Sequence, residues 1–464
     1  MRSDARSLWE SITADGAPAG QLHGAHASIA LAELAHSSAL GGRLEELRDA
    51  TVLIAVKDQL TAALVLLELD GVARRMVLCT PDLSAEHFPG VIERSEAQAC
   101  VRDAAGAAAV PLNLRTSVQA EPRLTPGAAR ARAERATEWV LLTSGTTGAP
   151  KLVLHTLASL SSALTGEAAS GSPALWSTFY DIRRYGGLQI LLRALKAGSL
   201  VLSDPEEPVI DFLARAAAAG VTHISGTPSH WRKALMSGAA TQIAPRYARL
   251  SGEIADQAVL DSLHAAFPAA TVAHAFASTE AGVAFEVRDG RAGFPASLLG
   301  SAGPVELEVR DETLRVRSPG TAQCYLGPDA QPLRSADGFV DTGDRIEERE
   351  GRCYFAGRRG GVINVGGQKV HPEEVEAVIN AHPWVRMSLV RARRNAITGA
   401  VVTADVVLAE EGGSTGARPP AAALTRELTE RCRSALPAHK VPAMIRIVPS
   451  LEVSASGKLV RPNA

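Results

Sequence analysis

The chain has 464 residues, 48 basic and 50 acidic side chains and a formal net charge of −2. That length exceeds one ordinary core, so two or more domains are expected, and the near-cancelled charge without a basic block argues against a nucleic-acid partner. The five cysteines, Cys79, Cys100, Cys324, Cys353 and Cys432, show no Cys-x-x-Cys spacing, which argues against a disulfide framework or a zinc site and for buried free thiols.

Residues 1–20 mix acidic and basic side chains without an apolar centre, so no secretory signal is expected. The most apolar stretch, 60–69, is about half of the roughly 20 residues that a membrane-spanning helix needs. A cytoplasmic protein with no membrane partner is expected. Short Val/Ile/Leu runs at 51–56, 75–79, 200–203 and 223–225 alternate with alanine-rich helical patterns, the mark of βαβ units in a doubly wound sheet. No repeat recurs at a fixed period. The stretch 118–137, rich in Ala, Arg, Glu and Pro, reads as a linker or surface helix without chemistry.

Directly after an apolar run, residues 142–151 read Leu-Thr-Ser-Gly-Thr-Thr-Gly-Ala-Pro-Lys. Gly145 and Gly148 let backbone N–H groups converge on an anion, Thr143, Ser144, Thr146 and Thr147 add hydroxyls, and Lys151 adds a point charge. The spacing is not that of a Walker loop, because Pro150 precedes the lysine and Leu152 follows it. Further on comes Phe276-Ala277-Ser278-Thr279-Glu280, in which an aromatic face can stack on a purine, a threonine can reach a phosphate and a carboxylate can hold Mg²⁺. Asp341-Thr342-Gly343-Asp344 follows, with Arg358 fourteen residues after Asp344, and Ser456-Gly457-Lys458 lies near the end.

In this order the four segments resemble the signature stations of the adenylate-forming superfamily, which contains acyl-CoA synthetases, peptide-synthetase adenylation domains and luciferases. Weaker similarities fill the gaps: the turn Ser251-Gly252-Glu253 on the adenine side, the Ser225-Gly226 bend and Gly303 beside the acyl pocket, and Leu436-Pro437 with Val441-Pro442 ahead of the terminal lysine. The resemblance implies an α/β fold: a large N-terminal domain of doubly wound sheets plus a small distorted β-barrel (1–357), and a small mobile α+β domain (358–464). It implies that Asp344 and Arg358 reach the ribose, that Thr279 and Glu280 serve the phosphates and Mg²⁺, and that Lys458 bridges the carboxylate and α-phosphate. Gly360 stands at the hinge, where the family usually has Asp or Lys, and Gly366 and Gly367 would line a thiol tunnel. The phosphate loop arrives early, so some N-terminal elements of longer relatives are expected to be missing.

The implied reaction joins a carboxylic acid to MgATP and passes the acyl group to CoA. A carrier protein's phosphopantetheine or an amine is the alternative acceptor, and a non-catalytic nucleotide-binding protein is the reading from another class. The protein would act as a monomer or homodimer. The acyl pocket is expected behind residues 176–189, with Tyr180, Asp181, Tyr185 and Gly186 in its wall. Trp176, Phe179, Tyr180 and Tyr185 suit either a flat aryl acid or helix-to-sheet packing. Asp181 is a candidate for holding an α-ammonium group. Arg183 and Arg184 read as solvated arginines, or as a grip for a second carboxylate or CoA phosphates.

Overall fold

The computed structural model describes residues 7–14, 16–109, 114–130, 133–143, 149–164, 174–204, 206–359, 361–365, 368–395, 399–409, 419–454 and 457–460. The Val/Ile/Leu runs become strands of two large sheets. A seven-stranded sheet has the order Cys324–Leu326, Lys151–Thr156, Glu138–Thr143, Arg75–Leu78, Thr51–Ile54, Ala99–Arg102 and Thr116–Gln119. An eight-stranded sheet runs Gly282–Val287, Thr271–Ser278, Tyr247–Ser251, His223–Gly226, Ala174–Thr178, Gly198–Leu202, Gln21–His23 and Ser28–Ala30. The central strands of both are parallel and apolar, as helices covering both faces require.

Helices fill the space between the sheets. Gln59–Leu69 is buried along its whole length, so the most apolar stretch of the chain is a core helix. No described helix is long and apolar enough to cross a membrane. With Tyr185–Ala197 it joins Val52, Ile54 and Leu78 of the first sheet to Leu22, Trp176 and Leu200 of the second in one continuous core. The stretch 118–137 is not helical where described: it continues the strand Thr116–Gln119 and adds a short pairing at Thr125–Pro126.

A third, antiparallel sheet of six strands, Phe294–Pro295, Arg352–Arg358, Val340–Arg349, Thr313–Arg317, Val305–Arg310 and Gly300–Ala302, stands where the small barrel is expected. Beyond it, Ile363, Val375, Val402, Leu424 and Ile445 belong to a hydrophobic core of their own, formed by strands Val385–Asn395, Gly399–Leu408 and Met444–Ile447 with helices Pro372–Asn380 and Ala421–Ala435. The cysteines are free; Cys324, against expectation, is exposed, because its strand forms the edge of the first sheet.

Candidate active site

In an open parallel sheet the loops at the carboxyl ends of the strands are where ligands gather. Residues 179–184 follow Thr178, Thr227 follows Gly226, Gly252 and Glu253 follow Ser251, and Thr279 and Glu280 follow Ser278. These loops all open on one edge of the second sheet. Thr143 and Lys151, which flank the phosphate loop, stand opposite each other in the ladder of the first sheet. The loop's inner residues Ser144, Gly145, Thr146, Thr147 and Gly148 lie outside the described residues, as do Gly360, Gly366 and Gly367.

Lys151 and Glu280 share a partner that the sequence reading missed. The Lys151 ammonium sits 4.9 Å from the centre of the Tyr325 ring, and the Tyr325 hydroxyl donates to Glu280 Oε1 at 3.2 Å. Burial and the adjacent Glu280 carboxylate push the Tyr325 hydroxyl pKa up, so it stays a donor. Behind them the ring of His155 holds the loop: its Nε2 lies 2.7 Å from the Thr279 carbonyl and its Nδ1 2.9 Å from Ser159 Oγ. A carbonyl only accepts, so Nε2 carries the proton. Burial lowers the pKa to about 4, which keeps the ring neutral and this tautomer fixed. Replacing His155 by leucine leaves a part-buried carbonyl without its donor and is expected to cost about 1 kcal/mol in denaturant unfolding; unchanged stability would remove His155 as the support of Thr279.

Asp344 and Arg358 face each other across two neighbouring strands, with Nε 3.0 Å from Oδ1. Thr342 Oγ1 accepts from the Asp344 N–H at 3.1 Å, and Gly343, with φ +70°, makes the bend that allows it. Phe276 packs against Phe285 and Phe355 at centroid distances of 5.8 and 5.1 Å, so the sheets take up much of this half-buried ring. Ala277 beside it carries the register shift of its strand pair.

The tail closes the site. Gly457 O accepts from Thr227 Oγ1 at 2.5 Å, and the Leu459 N–H donates to Glu253 Oε1 at 3.0 Å. The same Glu253 carboxylate accepts from the N–H and hydroxyl of Ser229 at 2.9 and 3.0 Å, so it ties the tail to the start of helix Pro228–Met236. Lys458 is thereby placed over Gly252, where an added Cβ would lie 3.4 Å from its Cε. The residue keeps an exposed side, yet protein crowds it. Desolvation lowers its ammonium pKa, Arg358 and Arg184 adding to this while Glu253 and Asp344 oppose it. Residues from 184 to 458 thus meet around one ammonium group.

The acyl-pocket expectations divide. Tyr180 donates to Ser251 O at 2.7 Å, Gly186 lies against the Tyr180 ring, and Tyr185 stands 5.7 Å from His155. Ser225 is fully buried beside them, and a side chain at Gly226 would strike Phe179. Trp176 and Phe179, however, are packing residues, on His223 and Tyr247 and on Phe212 and Trp231 respectively. Asp181 is corrected: its two oxygens accept from Arg183 at 2.7 and 2.5 Å, so its charge is already matched inside the protein rather than offered to a substrate ammonium. Arg183 is likewise not solvated, being fully buried with its guanidinium also donating to the carbonyls of Val56 and Lys57. Arg184 pairs with Asp82 at 2.6 Å. Gly303 is corrected too: it occupies an exposed hairpin turn with nothing within 4 Å of its Cβ position, and so walls no pocket.

Residues 47–326, more than half the chain, match the AMP-binding enzyme family, and residues 374–458 match the AMP-binding enzyme C-terminal domain. The chain is 31% identical over 258 residues to the 2-succinylbenzoate-CoA ligase of Salmonella typhimurium, a match covering 54% of this chain and 53% of that ligase, so it spans about half the length of this curated relative. Its fold is similar to that of a benzoate CoA ligase from Burkholderia xenovorans, with TM-score 0.80 and 19% identity over 98% of both chains. It is also similar to the amide bond synthetase McbA from Marinactinospora thermotolerans, with TM-score 0.77 and 19% identity over 97% of both chains.

Proposed function

The chain belongs to the AMP-binding enzyme family, and from that premise we propose that it couples a carboxylic acid, of aryl or acyl type, to CoA by way of an acyl-adenylate. The observation that carries this reading is the docked tail, which sets Lys458 among Gly252, Glu253, Asp344 and Arg358. In the first step a carboxylate oxygen attacks the α-phosphorus of MgATP and pyrophosphate leaves. In the second a thiolate attacks the acyl carbon and AMP leaves. The first step brings two anions together, and a lysine held over the reacting edge offsets that charge. The remaining work is positioning: Asp344 and Arg358 for the ribose, Thr279 and Lys151 for the phosphates.

Mg²⁺ enters as part of the nucleotide. The donor set suits that role, since the described residues hold no cluster of three metal-ligating side chains and Glu280 offers one carboxylate, to which phosphate oxygens and water would add. Glu280→Ala is expected to lower turnover on the order of 100-fold and to raise the Mg²⁺ concentration needed for half-maximal rate; an unaltered Mg²⁺ response would reassign Glu280. We place the boundary between the nucleotide-binding part (1–357) and the moving part (358–464) at the end of the strand that carries Arg358.

The test is pyrophosphate release from MgATP with aryl, fatty, dicarboxylic and amino acids, with and without CoA. Release with one acid class together with a CoA thioester is the expected result. Release without a thioester gives the acceptor to a carrier protein or an amine, and no release with any acid overturns the reading.

A further inference from the structure

Lys151 and Glu280 carry opposite charges on one side of the candidate site, yet no ion pair joins them; each is held by Tyr325 instead. The ammonium lies over the face of the ring, and Glu280 Oε1 accepts from the hydroxyl. The backbone makes this placement a consequence of the fold. Tyr325, in the strand Cys324–Leu326, is the register partner of Val153, and Lys151 lies two residues before Val153, so both side chains leave the sheet on one face as diagonal neighbours. Just ahead of that strand the Ala322 N–H donates to Glu280 O at 2.9 Å and the Gln323 N–H to Leu154 O at 2.7 Å. One short stretch of chain is therefore bonded both to the Glu280 loop and to the strand that carries Lys151. Arg334 fixes the same stretch from a third direction, its Nη2 donating to Ala322 O at 2.6 Å.

An ammonium and a carboxylate that share one tyrosine would, without it, be free to close on each other. That pair would neutralise the charge that serves the phosphates and occupy the carboxylate that serves the metal. A cation over a partly exposed ring is held weakly and is given up readily to a phosphate, whereas an ion pair has to be broken with both ions finding new partners.

We propose that Tyr325 is a positioning residue that acts as a spacer: its ring holds Lys151 and its hydroxyl holds Glu280, so that the two charges stay apart until ATP arrives. The proposal rests on the reading that ATP binds at this site. It gives the two halves of the side chain separable duties, the ring toward the phosphates and the hydroxyl toward Mg²⁺.

The experiment is calorimetric titration with ATP, in EDTA and again with Mg²⁺, without any acid, so that binding is read apart from turnover; melting temperature is the fold check. Tyr325→Leu is expected to weaken metal-free binding about fivefold, because Glu280 captures Lys151. Tyr325→Phe keeps the ring and should bind metal-free ATP within about twofold of the parent, while losing about fivefold of the affinity gained on adding Mg²⁺. The deciding comparison is Glu280→Ala in two backgrounds. In the parent it removes only a repulsion and should raise metal-free affinity by about twofold at most; on Tyr325→Leu it also frees Lys151, and the gain should reach about tenfold. A merely structural defect at the sheet edge leaves the Glu280→Ala factor the same in both backgrounds, and that equality overturns the spacer. So does Tyr325→Phe with an undiminished Mg²⁺ gain, a result independent of how well the leucine variant folds. In either case parent protein that binds ATP keeps the nucleotide reading; parent protein that binds none, with or without Mg²⁺, overturns both.

Discussion

Replacing Lys458 by alanine is expected to lower pyrophosphate release by on the order of 100- to 1000-fold, with ATP affinity held within a few-fold of the parent. The expectation follows from what the residue does and does not touch. Its backbone, through the Ser454 N–H and hydroxyl that donate to Lys458 O at 2.7 and 3.0 Å, makes the tail hairpin, and alanine keeps those bonds. Only the ammonium over Gly252 is removed. The nucleotide's ribose and phosphates keep Asp344, Arg358, Thr279 and Lys151, so binding and chemistry separate. The pH profile gives a second check. The lowered pKa of Lys458 means that its positive charge is lost, as pH rises, earlier than for an ordinary lysine near 10.5. The parent rate should therefore fall on the alkaline side below that value, and this limb should be missing from the residual rate of Lys458→Ala. Full pyrophosphate release by the variant would end the role given to the tail.

How much of this was visible in the sequence depends on the range of the interactions. The four stations are local: each is a few residues long, and the strand-loop pattern that presents them is written in the Val/Ile/Leu runs that precede them. The residues that support them are not. His155 and Thr279 are 124 positions apart, Tyr325 and Glu280 are 45 apart, and Thr227 and Gly457 are 230 apart, so no local pattern links either partner to the other. The misreadings had a different origin. Asp181 and Arg183 are two residues apart and form a closed pair, but in a run of aromatics and arginines nothing in the spacing tells a buried ion pair from two separate surface charges.

Gly457→Ala is expected to reduce pyrophosphate release by about 100-fold, nearly as far as removing the lysine itself, although the substitution adds a single methyl group. Gly457 has φ +73°, a conformation that costs an L-residue about 1–2 kcal/mol, and its added Cβ would lie 1.8 Å from Cε1 of His230. Real atoms do not approach so closely, and the ring has nowhere to go. Phe179 stacks on it at 5.5 Å, Tyr180 meets it edge-on, and its Nδ1 accepts from the Thr227 N–H at 3.2 Å. Burial holds the ring neutral, its pKa pushed down to about 3, so acid does not loosen this wall in the working range. The tail must yield instead, breaking the Thr227 and Glu253 bonds and lifting Lys458 from Gly252. The separate core around Ile363, Val402 and Leu424 is remote from the change, so melting temperature should hold while amide exchange at 457–460 accelerates. Truncating the ring tests the cause: in Gly457→Ala/His230→Ala the steric term disappears and only the backbone term remains, so about tenfold of the lost rate should return. If Gly457→Ala releases pyrophosphate at the parent rate, the docked tail is not the adenylating arrangement; if the double variant is no faster than Gly457→Ala, the obstacle is the backbone conformation rather than the His230 ring.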